Sequence, residues 1–81
     1  MTLREQILEE LRIQDAEAQA EIKKCEEQIN AEAFAMSTVS GGALAATARN
    51  ACQTRMQAAS ARKSSIESGN AWVHEMLSKY R

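Results

Sequence analysis

Apolar residues recur along the first half of the chain at intervals of three and four: Ile7, Leu11, Ala18, Ile22, Cys25, Ile29, Ala33 and Met36, with Gln14 as the one polar member of the row. Such spacing keeps one face of an α-helix apolar. Leu3, Leu8 and Ile13 widen the stripe near its start. Thr2, followed three positions later by Glu5, has the spacing of a capping box, so the first helix is expected over 2–36. Consecutive steps of four around Ala18 and around Ile29 give a period between a heptad and an eleven-residue repeat, which predicts little supercoiling. At about 1.5 Å per residue this rod is roughly 50 Å long.

A second row comes later: Ala45, Ala48, Cys52, Met56, Ala59, Ile66, Val73, Leu77 and Tyr80. It predicts a helix over 43–79 whose first half is small-sided and whose bulky residues gather at the far end. Ser68-Gly69-Asn70 interrupts it. Either the rod kinks there, or it stops and Asn70 caps a short third helix. Because Ile66 and Val73 stay in heptad phase, a continuous or gently bent helix is the favoured reading.

Between the rows lies a stretch without charge, from Ala33 to Ala48. Its adjacent Gly41 and Gly42 disfavour helix and tolerate positive φ, and Ser40 or Thr38 can cap the second helix, so the chain is expected to reverse over 37–42. An unbroken helix through this point is the rival reading; it would carry two interior glycines at a cost of about 1 kcal/mol each. The fold class is therefore all-α: one domain, an antiparallel two-helix hairpin of coiled-coil type.

Composition changes the picture in one respect. The chain has 81 residues, no proline and only three aromatic residues, Phe34, Trp72 and Tyr80. A lone hairpin with so few bulky side chains leaves much of its stripe wet. Pairing into a four-helix bundle as a homodimer would cover it, and so would docking with a partner helix.

Charge supports the antiparallel arrangement. Residues 1–36 hold nine acids and four bases, whereas 43–81 hold two acids and six bases. With the reversal centred near residue 40, facing positions sum to about 80. Cys52 and Met56 then lie near Cys25 and Ile29, Ile66 near Gln14, and Val73 and Leu77 against Ile7 and Leu3. Arg49 falls near Glu32, Arg55 near Glu26 and Glu27, and Arg62 and Lys63 near Glu17 and Glu21. The expected helix–helix seam is Ile7, Leu11, Ile22, Cys25, Ile29, Cys52, Met56 and Ile66.

Candidate chemistry is sparse. His74-Glu75 begins no complete zinc motif, since position 78 is Ser78 and no second histidine exists. Cys25 and Cys52 read as small buried apolar residues, with a disulfide after oxidation as the lesser alternative. No phosphate-binding glycine loop and no pocket for an acid–base pair can be read, so neither catalytic residues nor a metal or cofactor is expected, and enzyme is the least favoured class. Arg49, Arg55, Arg62 and Lys63 form a basic segment that would suit a nucleic-acid backbone, though the acids of the first helix are placed to neutralise it. No stretch is apolar enough for a membrane span. Two isolated cysteines without a disulfide framework point to the reducing cytoplasm.

Two surfaces remain as candidates for protein partners. The tip carries Phe34, Met36, Val39 and Leu44, and the terminal end carries Trp72, Val73, Met76, Leu77 and Tyr80. The expectation is a non-catalytic protein–protein interaction module. Small cytoplasmic chaperones and adaptors of bacterial secretion machines share this size and build, an analogy of architecture alone. The alternatives are a small regulator or inhibitor of phage or plasmid type and, less favoured, a dimeric helical nucleic-acid-binding protein using the Arg49–Lys63 face.

Overall fold

The computed structural model describes residues 2–80. They form α1, Leu3–Thr38, and α2, Ala45–Tyr80, joined by a short turn. The helices lie antiparallel, and the described residues contain no strand, so the fold is an all-α hairpin.

Each helix end has a local cause. The backbone N–H of Glu5 donates to Thr2 Oγ1 at 3.2 Å, which satisfies one of the free donors of the first turn. At the other end α1 runs past Met36, because the hydroxyls of Ser37 and Thr38 bond back to the carbonyls of Phe34 (2.7 Å) and Ala35 (2.9 Å). The reversal therefore occupies 39–44 rather than 37–42. Gly42 turns the chain with φ of +141°, a conformation that side-chain-bearing residues avoid. Arginines close both ends of the hairpin. Arg49 donates to the Val39 carbonyl at the turn (3.3 Å), and Arg4 donates twice to the Tyr80 carbonyl (3.2 and 2.8 Å).

The seam follows a strict heptad. In α1 the covered positions step through Leu8, Leu11, Asp15, Ala18, Ile22, Cys25, Ile29 and Glu32. In α2 they step through Cys52, Met56, Ala59, Lys63, Ile66, Asn70, Val73 and Leu77. Threes and fours alternate in both, a 3.5-residue repeat of coiled-coil type, in place of the mixed period expected for the first helix. Three members of the α1 row also change, one of them Ala33, which is exposed while Glu32 takes the seam position. Ile7 lies outside the seam, 41% exposed, and Leu8 takes its place. Asp15 replaces Gln14 as the polar member, because it finds partners across the seam.

Facing positions sum to between 83 and 89, the values set by Glu21–Arg62, Asp15–Asn70, Glu32–Arg55 and Lys63–Glu26. The expected value of about 80 is therefore too low by nearly a heptad. The cause is the turn, which begins two residues later than expected and takes up Ala43 and Leu44 as well. Consequently Val73 and Leu77 pack on Leu11, with Leu8 and Met76 beside them, and not on Leu3 and Ile7.

α2 is unbroken through Ser68-Gly69-Asn70. Asn70 caps nothing; its side chain crosses the seam to Asp15. Gly69 is an ordinary helical residue, and a Cβ built there meets nothing within 4 Å. Gly69→Ala should therefore stabilise the chain by about 0.5–1 kcal/mol. Gly42→Ala should destabilise it by about 1–3 kcal/mol, since its φ suits only glycine. Opposite shifts in urea midpoint at unchanged slope check the pair.

The hairpin is a rod of 64 × 16 × 13 Å with a radius of gyration of 18.4 Å. A compact chain of this length would have about 12 Å. Its core is one line of contacts, and among the described residues no large side chain is wholly sealed from solvent.

Candidate functional site

The terminal end of the rod concentrates the bulky apolar groups. Val73 and Leu77, expected to face a partner, are instead buried in the hairpin's own core with Leu11. Trp72 and Tyr80 stay outside, and Met76 is half-covered. The structure adds two residues to this surface, Leu3 at 73% exposure and Ile7. Their signal in the sequence is the four-residue step that falls one position off the seam phase at Leu8 and Leu11.

At the tip, Met36 and Val39 turn partly inward, while Phe34 and Leu44 remain among the most exposed large side chains of the chain. The turn beside them encloses only an open dent lined by Val39, Gly42, Leu44 and Ala48. No apolar cluster unites Phe34 with Leu44 among the described residues; the one buried cluster lies at the terminal end.

A polar layer divides the seam. Asn70, 6% exposed, donates from Nδ2 to Asp15 Oδ1 at 2.9 Å, and His74 Nε2 approaches the same oxygen at 2.8 Å. The Asn70 hydrogen bond, then the charge of His74, holds the Asp15 carboxyl below its ordinary 3.8 against the opposing effect of burial. Closer to the tip, Arg55 Nε donates to Glu32 Oε1 at 2.8 Å and holds that carboxyl below its ordinary 4.5. The Cys52 thiol lies beside the same carboxylate. No acid, base and nucleophile converge in a pocket here; these groups hold two helices in register.

The basic segment is largely engaged within the hairpin. Arg62 pairs with Glu21 at 2.8 Å, and Lys63 reaches Glu26 and Glu67 at 3.6 and 3.8 Å. Arg55 is held by Glu32, and Arg49 by the Val39 carbonyl. Exposed pairs of this kind are worth about 0–1 kcal/mol each and act on register more than on stability.

Cys25 and Cys52 are both buried and free. They do not face each other as the sequence suggested. Cys52 sits at the level of Glu32, which is seven residues, about 10 Å of helix, from Cys25. Mild oxidation of the folded chain should therefore form no internal disulfide, because bridging needs Cα atoms within about 7 Å. Mass spectrometry after oxidation checks this; a full internal bridge with helicity retained would refute the register.

Among the described residues no cluster of three or more His, Cys, Asp or Glu side chains could hold a metal ion, and no helix is long and apolar enough to cross a membrane. No family model, curated protein or solved structure matches the chain. Its class is defined by the fold alone: an antiparallel helical hairpin with an apolar terminal end.

Proposed function

We propose that the chain is a non-catalytic protein–protein interaction module, a small adaptor or chaperone of the cytoplasm that completes its core against another polypeptide. The observation that carries this reading is the terminal end, where Leu3, Ile7, Trp72 and Tyr80 are exposed on a rod with a single line of core contacts. Scattered apolar residues on a surface need no explanation, but several bulky ones at one end mark a contact site. Trp and Tyr are also favoured anchors at interfaces. The free, buried thiols accord with a reducing compartment.

A regulator that binds and inhibits another protein would use the same surface. Nucleic-acid binding draws less support, because the Arg49–Lys63 segment commits its cations to Glu21, Glu26, Glu32 and Glu67 and to the Val39 carbonyl.

The test is helicity by circular dichroism alongside solution mass, over a hundredfold dilution. The expected result is that helix is lost as the chain becomes monomeric. A fully helical monomer that unfolds cooperatively would overturn the reading.

A further inference from the structure

The seam has two flanks of unlike character. Glu21 and Arg62 meet on one of them, at 2.8 Å. Ile7 precedes Glu21 by two heptads and Met76 lies two heptads beyond Arg62, so both lie on that flank. Leu3 and Trp72 are one turn further out from Ile7 and Met76. Outside the heptad row, the residues between the first and last seam positions that are partly covered are Glu21 on α1 and Met76 on α2, so the contact leans towards the same side. The opposite flank carries Gln19, Glu26, Glu67 and His74, with no apolar side chain larger than alanine.

We propose that the flank bearing Leu3, Ile7, Trp72 and Met76 is a homodimer interface, with two hairpins stacked about a two-fold axis parallel to their length. The inference rests on the interaction-module reading and names the partner as a second copy. Area supports it. The hairpin exposes 5871 Å², whereas a compact protein of this mass exposes about 4,800 Å². The difference, about 1,000 Å², compares with the roughly 800 Å² that each partner buries in a standard interface.

Charge chooses the axis. On this flank α1 carries Glu10, Glu17 and Glu21 against one base, Lys24, while α2 carries Arg55, Arg62 and Lys79. An axis along the rod lays each acidic α1 over the partner's basic α2. Every neighbouring pair in the resulting bundle is then antiparallel, and the two terminal patches meet each other. An axis across the rod would instead stack α1 on α1, acid against acid, with each patch over the partner's alanine-lined tip. The flank's inner charges arrive already paired, as Glu21–Arg62 and Glu32–Arg55, so covering them strands no ion.

Trp72 is the only tryptophan and reports on the interface without any substitution. Light scattering at micromolar concentration should give twice the 8.9 kDa chain mass. In the dimer, Trp72 emission should be blue-shifted and its acrylamide quenching severalfold weaker than in the diluted chain. Orientation is read from spin labels on Ser40→Cys at the tip, with Cys25→Ala and Cys52→Ala, in a variant first shown to dimerise. Labels roughly 20–30 Å apart, two to three helix diameters, are expected.

Labels separated by nearly the 64 Å length of the rod would overturn the arrangement while leaving the interaction-module reading intact. A monomer that is poorly helical and leaves Trp72 exposed would overturn self-pairing alone. A cooperative, fully helical monomer would overturn both. If the labelled variant fails to dimerise, the mass and Trp72 measurements on the natural chain still decide whether self-pairing stands.

Discussion

Leu11→Ala is expected to remove about 3 kcal/mol of stability, within the 2–5 kcal/mol usual for a buried leucine cut back to alanine. Leu11 is 4% exposed and sits at the centre of the cluster formed with Val73 and Leu77, flanked by Leu8 and Met76. Nothing else can fill the space, because the seam is one side chain deep. A chain of this length has about 4–12 kcal/mol in all, so the loss takes a large share and should be visible as reduced helicity at 37 °C. Leu44→Ala is the control. At 77% exposure, at the end of the rod away from the Leu3–Met76 flank, it should change stability by no more than about 0.5 kcal/mol. Urea unfolding of the two variants under the same conditions checks the contrast. Equal losses would mean that Leu11 is not the centre of the core.

The same pair of leucines shows what was legible in the sequence and what was not. The hairpin itself could be read, because two apolar rows of helical period flank a charge-free stretch with paired glycines. The α2 row could be read almost complete, from Cys52 to Leu77, with Lys63 and Asn70 left out as polar. In α1 the spacing points to Ile7, Gln14 and Ala33 where the seam uses Leu8, Asp15 and Glu32. A lone acid in a helix reads as solvent-facing, and what brings Asp15 and Glu32 inward is a partner on the other helix, Asn70 or Arg55. Those partners lie 55 and 23 positions away, beyond the reach of local periodicity.

Register is hidden from local periodicity for a related reason. A slip of about one heptad carries each seam position onto another seam position, so apolar rows match almost as well in either alignment. Opposite charges spread along both helices also find partners in either one. Lys63 pairs with Glu26 where the sequence suggested Glu17 or Glu21, while Arg62 still finds Glu21. The terminal surface was affected in turn. With Val73 and Leu77 moved onto Leu8 and Leu11, Leu3 and Ile7 are freed to join Trp72 and Tyr80 outside. What distinguishes one alignment from the other is a polar contact that only one of them makes.

Asp15 and Asn70 supply that contact, and removing it should cost about 1–3 kcal/mol in Asp15→Ala, the penalty for leaving the Asn70 amide without its acceptor. In the slipped alignment Asn70 would fall against the Leu8–Leu11 level and Asp15 against the Lys63–Ile66 level, so the pair disfavours the slip. Replacing both, Asp15→Leu with Asn70→Leu, should raise the melting temperature, since a well-packed apolar pair outdoes a half-satisfied polar one. It should also lose uniqueness, giving more than one set of backbone amide resonances as the alternative alignment becomes populated. A double variant with a single sharp set would show that the turn alone sets register. Acid gives an independent reading. The folded chain holds Asp15 below its ordinary 3.8, so Asp15 stabilises the hairpin at neutral pH, and that stability is lost as pH falls through the depressed folded value. Glu32, held low by Arg55, acts in the same direction below its ordinary 4.5. Stability should therefore fall below about pH 4, and Asp15→Asn should flatten the part of the fall that belongs to the seam's polar layer.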